Sequence, residues 1–217
     1  MRFETVIWDL DGTLLDTLQD LSEAVNHALR ACGMAERRID EVRQFVGNGI
    51  RMLMRRAVLG GEENPRFEDC FTQFRTYYVQ HSQDYTRLYP GIQETLATLH
   101  QMGIRMAVVS NKLQTGVDTL YQAWFRNTIE VAIGERPDLR RKPAPDMVHQ
   151  ALKELGVSAE GAVYVGDSDV DIQTARNSGL PCISVLWGFR DRETLEKAGA
   201  TCYVEQPNEI INIIQGI

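Results

Sequence analysis

Two aspartates one residue apart, in the run Asp9-Leu10-Asp11-Gly12-Thr13-Leu14, are the first residues of the chain whose spacing could do chemistry. On an extended chain, positions i and i+2 face the same side, so both carboxylates leave on one face. Such a pair concentrates negative charge and is costly unless a cation or a proton offsets it. Gly12 permits a sharp turn and leaves backbone N–H groups open to a ligand. Taken alone, the same run also reads as a solvated Asp-Gly turn.

Three later runs carry complementary groups. In Val108-Val109-Ser110-Asn111-Lys112, an apolar stretch ends in a hydroxyl that could donate to a phosphoryl oxygen with backbone N–H groups assisting, or simply cap a following helix. In Lys142-Pro143-Ala144-Pro145-Asp146, two prolines stiffen a loop that delivers a lysine just before a helix, and a fixed ammonium suits a transferring phosphoryl group. Arg140 and Arg141 beside it read as solvated. In Tyr164-Val165-Gly166-Asp167-Ser168-Asp169-Val170-Asp171, three acids at alternate positions supply hard oxygen ligands of the kind Mg²⁺ takes. Asp169 reads as an acid complementing a helix dipole, and Asp167 as the metal ligand.

These runs must be positioned by something, and the pattern around them says what. Apolar stretches at Phe3–Trp8, Arg105–Val109, Ile129–Ile133, Ala162–Val165, Cys182–Leu186 and Thr201–Val204 read as strands. Helical periodicity fills Ile92–Met102, Gln114–Trp124, Pro145–Leu155, Asp169–Ser178 and Arg192–Ala198. The alternation predicts an α/β fold: a mainly parallel sheet with helices on both faces. Residues 17–86 break the rhythm, with helices over Leu18–Ala31, Ile39–Phe45, Ile50–Leu59 and Arg66–Ser82 and no convincing strand. The expected organisation is therefore a core of residues 1–16 and 87–217 with a helical insertion at 17–86. Ligands of such sheets bind beyond the carboxyl ends of the strands, where all four runs fall, so one site could collect them.

Composition sets the outer limits. The 217 residues, 43% hydrophobic and 24% charged, describe a globular chain long enough for one α/β domain with an appendage. The net charge of -7 excludes a nucleic-acid binder built on a basic face. Asp9 interrupts the N-terminal apolar run after only Val6, Ile7 and Trp8, too soon for a signal-peptide core or a membrane span. Cys32, Cys70, Cys182 and Cys202 form no CxxC and are expected as core thiols in a reducing compartment. A cytoplasmic chain with no nucleic-acid or membrane partner, monomer or homodimer, is the expectation. The four histidines lack metal-ligand spacing.

The order Asp9-x-Asp11-Gly12-Thr13, Ser110, Lys142 and Gly166-Asp167-x3-Asp171 resembles the four motifs of the haloacid dehalogenase superfamily, and the likeness spans nearly the whole chain. The resemblance implies a Rossmann-like sheet with a helical cap inserted after the first strand. It also implies that Asp9 attacks phosphorus and that Asp11 serves as general acid and then base. Mg²⁺ would be held by Asp9, Asp167 and the Asp11 backbone carbonyl. Ser110 and Lys142 would bind phosphoryl oxygens, and Asp171 would orient the metal shell or Lys142.

Asp11 favours phosphate chemistry, because the superfamily's dehalogenases lack an acid there. Gly134–Leu139, before Lys142, departs from the family's usual pattern. The turn Val46-Gly47-Asn48-Gly49-Ile50 with Arg51, together with Asp16–Leu21, is similar to the phosphoglycolate phosphatase-like branch. That likeness makes Asn48 and Arg51, with Gly12 and Asn111, candidate contacts for a small phosphoester such as 2-phosphoglycolate. The alternative for the insertion loop is a plain turn with solvated arginines. The alternatives for the whole are a phosphomutase of the β-phosphoglucomutase type and a catalytically silent phosphate-binding protein.

Overall fold

Val6, Ile7 and Trp8 have no solvent exposure, so the first apolar run is a strand covered on both faces, as a parallel sheet requires. The structure, a computed structural model, describes residues 2–217. Along the chain, β1 (Thr5–Trp8) and β2 (Leu15–Asp16) lead into α1 (Leu18–Ala31), α2 (Ile39–Phe45), α3 (Ile50–Ala57) and α4 (Phe67–His81), with a 3₁₀ turn at Gly61–Glu63. Then follow β3 (Arg87–Leu88), α5 (Ile92–Gln101), β4 (Arg105–Leu113), α6 (Gln114–Leu120), a π-helical turn (Tyr121–Phe125), β5 (Val131–Glu135) and α7 (Asp146–Leu155). The chain closes with β6 (Ala162–Gly166), α8 (Asp169–Asn177), β7 (Cys182–Val185), α9 (Arg192–Ala198), β8 (Tyr203–Val204) and α10 (Glu209–Gln215).

Six strands form one parallel sheet in the order β5-β4-β1-β6-β7-β8. The order reverses at β1: the chain first builds outward through β4 and β5, then returns to lay β6 on the other side. A crevice opens beyond the strand ends at such a reversal. Met147, Val148, Ala151, Leu152 and Leu155 of α7 bury themselves against Ile7, Ala107, Val109 and Tyr164, fixing the helix that follows the Lys142 loop onto the central strands.

The chain divides into two compact units, Met1–Leu14 with Leu88–Ile217, and Leu15–Arg87. The second unit is helical, with α1 packed on α4. Its ends are tied by Asp20, which is 1% exposed and accepts hydrogen bonds from Tyr85 N (2.9 Å), Thr86 N (2.9 Å) and Thr86 Oγ1 (2.6 Å). Two short strands, β2 and β3, pair where the chain passes between the units. Among the described residues no helix is long and apolar enough to cross a membrane.

Besides the short strands β2 and β3 and a two-residue shift of β5, the elements depart from the sequence reading at three places. β4 does not stop at Val109 but runs to Leu113, with a register shift against β5 between those residues. The periodic stretch Gln114–Trp124 is α6 followed by the π-helical turn. α10, whose Ile210 and Ile214 are fully buried, falls where no helix is expected; seven residues carrying four isoleucines give little helical signal.

Candidate active site

Asp9 is the residue immediately beyond β1, and the sheet sets its place: its N–H donates to the Val165 carbonyl at 2.8 Å, continuing the β1–β6 pairing. Only 6% of it is exposed. Burial, then the Asp171 carboxylate, push the Asp9 carboxyl well above the ordinary range, with Lys142 pulling the other way.

The counter-charge arrives from the β5–α7 loop, where the Lys142–Pro143 peptide is cis. Lys142 is 5% exposed and places Nζ 2.6 Å from Asp9 Oδ1, 2.8 Å from Asp171 Oδ1 and 3.1 Å from the Tyr164 hydroxyl. Burial on its own lowers the pKa of this lysine, but Asp171 and Asp9 outweigh it and hold the ammonium charged. The other oxygen of Asp171 accepts from Ser168 N at 3.1 Å and Ser168 Oγ, closing a capping box on α8. Tyr164 OH donates to Asp171 Oδ1 at 3.0 Å. Asp171 is thus committed to Lys142, Tyr164 and the helix cap.

Asp167 follows β6 and is 1% exposed. Its Oδ2 accepts from Phe189 N at 2.6 Å and its Oδ1 from Thr13 Oγ1 at 3.3 Å. Burial and the Asp171 charge push its pKa to about 7, against the pull of the Phe189 N–H. Two glycines make room for it. Gly12 has φ +93°, and a Cβ there would sit 2.5 Å from Asp167 Oδ2; at Gly188 a Cβ would sit 2.3 Å from Asp167 Cβ. Trp187 Nε1 donates to the Thr13 carbonyl at 3.0 Å and fastens the β7–α9 loop to the β1 loop.

Carboxylate oxygens of Asp9, Asp167 and Asp171 lie within 4.8 Å of one another. Three buried acids face one ammonium, so full ionisation of the cluster leaves negative charge uncompensated, and an arriving phosphoryl group adds more. With Asp171 committed elsewhere, Asp9 and Asp167 remain as a pair of hard oxygen donors. That donor chemistry fits a hard divalent cation such as Mg²⁺, which commonly takes one or two carboxylates and keeps several waters.

Asp11 stands apart from that cluster in its contacts. Its side chain is 18% exposed, and it meets Ser110 Oγ at 3.4 Å and Lys112 Nζ at 3.4 Å. Ser110 lies inside β4 and not at a helix start, which removes the N-cap reading; its Oγ accepts from Lys112 N at 3.1 Å. Asn111 Nδ2 donates to the Lys142 carbonyl at 3.0 Å, so this side chain braces the lysine loop.

In the inserted unit, Asn48 Oδ1 accepts from Arg56 Nη2 at 2.7 Å. Arg51 bonds Glu62 at 2.8 Å, pairs with Glu68, and lies over the rings of Phe67 and Phe71. The expectation that Arg51 offers its charge to a substrate anion meets a guanidinium already matched by two glutamates.

The structure brings together Asp9, Lys142, Asp167 and Asp171, and joins Asp11 to Ser110. Four contributors escape the sequence reading. Tyr164 sits mid-strand and reads as core; Phe189 acts through its backbone N–H, and Gly188 through the absence of a side chain. Lys112 had a detectable signal, a second cationic residue directly after Ser110-Asn111.

Residues 6–185 match the haloacid dehalogenase-like hydrolase family. A phosphoglycolate phosphatase of Pseudomonas fluorescens is 30% identical over 213 residues, covering 95% of this chain and 78% of that protein. One from Aquifex aeolicus is 32% identical over 189 residues, 85% of each. A crystal structure from Lactobacillus delbrueckii subsp. bulgaricus, of a protein described provisionally as a phosphoglycolate phosphatase, superposes with a TM-score of 0.92. It is 34% identical and covers 99% of both chains.

Proposed function

Since the chain belongs to the haloacid dehalogenase-like hydrolases, we propose that it is a Mg²⁺-dependent phosphatase that hydrolyses a small phosphomonoester through an aspartyl-phosphate on Asp9. One observation carries the reading: the buried Asp9 carboxylate, held by Lys142 and facing Asp167, lies two residues from Asp11, which has separate partners in Ser110 and Lys112. Two carboxylates in different settings suit two different roles.

In the first half-reaction an Asp9 oxygen forms a bond to phosphorus and the ester P–O bond breaks; the departing oxygen takes its proton from Asp11. In the second, Asp11 takes a proton from water, the water oxygen bonds to phosphorus, and the Asp9–phosphorus bond breaks to release inorganic phosphate. Lys142 and Ser110 stabilise the charge on the transferring group, the part of phosphoryl transfer that depends most on positioned electrostatics. Gly12 leaves backbone N–H groups for the phosphoryl oxygens, and Asn111 keeps the Lys142 loop in place. Asp9, Asp167 and the Asp11 carbonyl would hold Mg²⁺, which supplies positive charge to the phosphoryl oxygens when bound.

We assign residues 17–86 the role of a cap domain and residues 1–16 with 87–217 that of catalytic core. The names of the relatives favour 2-phosphoglycolate as substrate. A cytoplasmic location suits four cysteines that are all free. The reading is tested by phosphate release from 2-phosphoglycolate with and without EDTA, beside a panel of sugar and nucleoside monophosphates. EDTA-sensitive release with 2-phosphoglycolate the best ester is the expected result. Release from another ester replaces the substrate, and no release from any removes the phosphatase assignment.

A further inference from the structure

Tyr164 is a phenol in the middle of β6 to which the proposed chemistry gives no task. The sheet holds it from both sides: it pairs with Ile7 on β1 and with Cys182 on β7, and its N–H donates to the Pro181 carbonyl at 2.9 Å. It has no solvent exposure and lies in the core with Ile7, Ala107 and Met147. A phenol so deeply buried needs a partner for its hydroxyl. Here it has two: the hydroxyl donates to Asp171 Oδ1 at 3.0 Å and accepts from Lys142 Nζ at 3.1 Å.

Lys142 is the opposite kind of group. It rides on a loop, at the end of a flexible stem, with three N–H donors to place. All three have protein partners: Asp9 Oδ1 at 2.6 Å, Asp171 Oδ1 at 2.8 Å and the Tyr164 hydroxyl. Asp9 is the anchor that the proposed reaction changes, because a bond to phosphorus removes its carboxylate charge and frees one lysine donor for the phosphoryl group. Asp171 and Tyr164 are the anchors that stay the same. Asp171 Oδ2 is tied to Ser168 N at 3.1 Å, so this carboxylate cannot follow a lysine that swings. Two fixed points on separate elements hold the ammonium in place, whereas one leaves it an arc to move through.

Resting on the phosphatase reading, we propose that Tyr164 is a positioning residue for the second half-reaction, holding the Lys142 ammonium on the phosphoryl group while Asp9 carries phosphorus. Before Asp9 reacts, loss of the hydroxyl leaves Lys142 two anchors. After Asp9 reacts, it leaves one. The cost of losing the hydroxyl therefore falls on breakdown of the aspartyl-phosphate more than on its formation.

The test is rapid-quench kinetics with whichever ester the wild type turns over fastest, labelled at phosphorus. Formation and decay of labelled Asp9 are followed in the wild type, Tyr164→Phe, Lys142→Met and the double variant. A hydrogen bond to a charged group contributes on a scale that converts to about 10- to 100-fold in a rate. Tyr164→Phe is expected to slow decay by about that factor and formation by less than about 3-fold. Because the phenol acts through the ammonium, adding Tyr164→Phe to Lys142→Met should change decay by less than about 2-fold.

Unchanged decay in Tyr164→Phe would overturn the proposal. So would slowing that is equal in both steps or confined to formation, which marks a general distortion of the site. A loss of the same size in the Lys142→Met background also overturns it, because the phenol would then act by another route. Each of these results leaves the phosphatase reading intact. A wild type that turns over no ester, or does so without labelling Asp9, overturns both. Should Tyr164→Phe fail to fold, Tyr164→Met also lacks the hydroxyl and is read by the same two rates, with slower decay expected and unchanged decay the contrary result. Lys142→Gln replaces Lys142→Met on the same terms.

Discussion

Lys142 joins the acid that attacks in the proposed chemistry to the acid that does not. Its three contacts tie Asp9, Tyr164 and Asp171 into one buried set, with the lysine held charged because two carboxylates outweigh its desolvation. Removing one partner of a buried ion pair costs about 3–5 kcal/mol, against about 1 kcal/mol for an ordinary hydrogen bond, so stability and activity should fall together. Lys142→Met is expected to lower kcat by about 10²- to 10³-fold, the usual loss of one donor to the transition state. It should also lower the denaturation midpoint. A variant with full stability and full activity would contradict the role given to Lys142. Asp9 and Asp167 are legible in sequence because each is an acid at the end of an apolar run, Asp11 because it repeats Asp9 at i+2, and Lys142 because two prolines mark the loop that carries it. Tyr164 is not, since inside a buried strand a phenol that pairs with a carboxylate has the same signature as one that packs.

At the scale of elements, the β7–α9 loop matters most among the parts the sequence did not announce. Trp187 fastens it to the β1 loop, Phe189 N–H holds Asp167, and Gly188 allows both by having no side chain. The loop carries no group of recognised chemistry, so only its spatial neighbours disclose it. Gly188→Ala forces a methyl to within 2.3 Å of Asp167 Cβ and must displace the carboxylate or the loop. Altered support of a ligand typically costs about 10- to 100-fold in metal affinity. The Mg²⁺ concentration for half-maximal activity is therefore expected to rise by about that factor, as a Mg²⁺ titration would read; an unchanged titration would show that the loop does not hold the ligand. The parallel sheet was legible from apolar runs alternating with helical periods. The extension of β4 through Ser110, Asn111 and Lys112 was not, because three polar residues after an apolar run look like a strand end. Exposures of only 2%, 9% and 8% mark them as interior residues, engaged with Asp11 and the Lys142 loop. α10 was hidden for the opposite reason, its isoleucines lacking a polar face long enough to show a period.

For the molecule as a whole, the acidic cluster links folding stability to pH and metal. Asp167 is raised to about 7 in the folded protein from an ordinary value of 3.8. Between those two values the metal-free folded state keeps a proton that the unfolded chain has released, so stability falls as pH rises through the window. This group's contribution is fully present below about pH 4 and is lost above about pH 7. A cation competes with that proton, so the rise in melting temperature on adding Mg²⁺ should be larger at pH 8 than at pH 5. An equal or smaller rise at pH 8 would speak against metal at Asp167. The split into two units with a helical insertion was legible because one block of the chain lacked strand signals. The substrate was less so, because the side chains of a site acquire meaning only from what lies beside them.

The most direct test of the account is to trap the phosphoryl group on Asp9. Quenching turnover of 2-phosphoglycolate into tritiated borohydride reduces an acyl phosphate to the alcohol, so Asp9 should be recovered as labelled homoserine in the peptide that contains it. The label should be absent from Asp9→Asn, which should also be inactive. Turnover without label at Asp9, or an Asp9→Asn variant that hydrolyses the ester at the wild-type rate, would contradict the covalent mechanism.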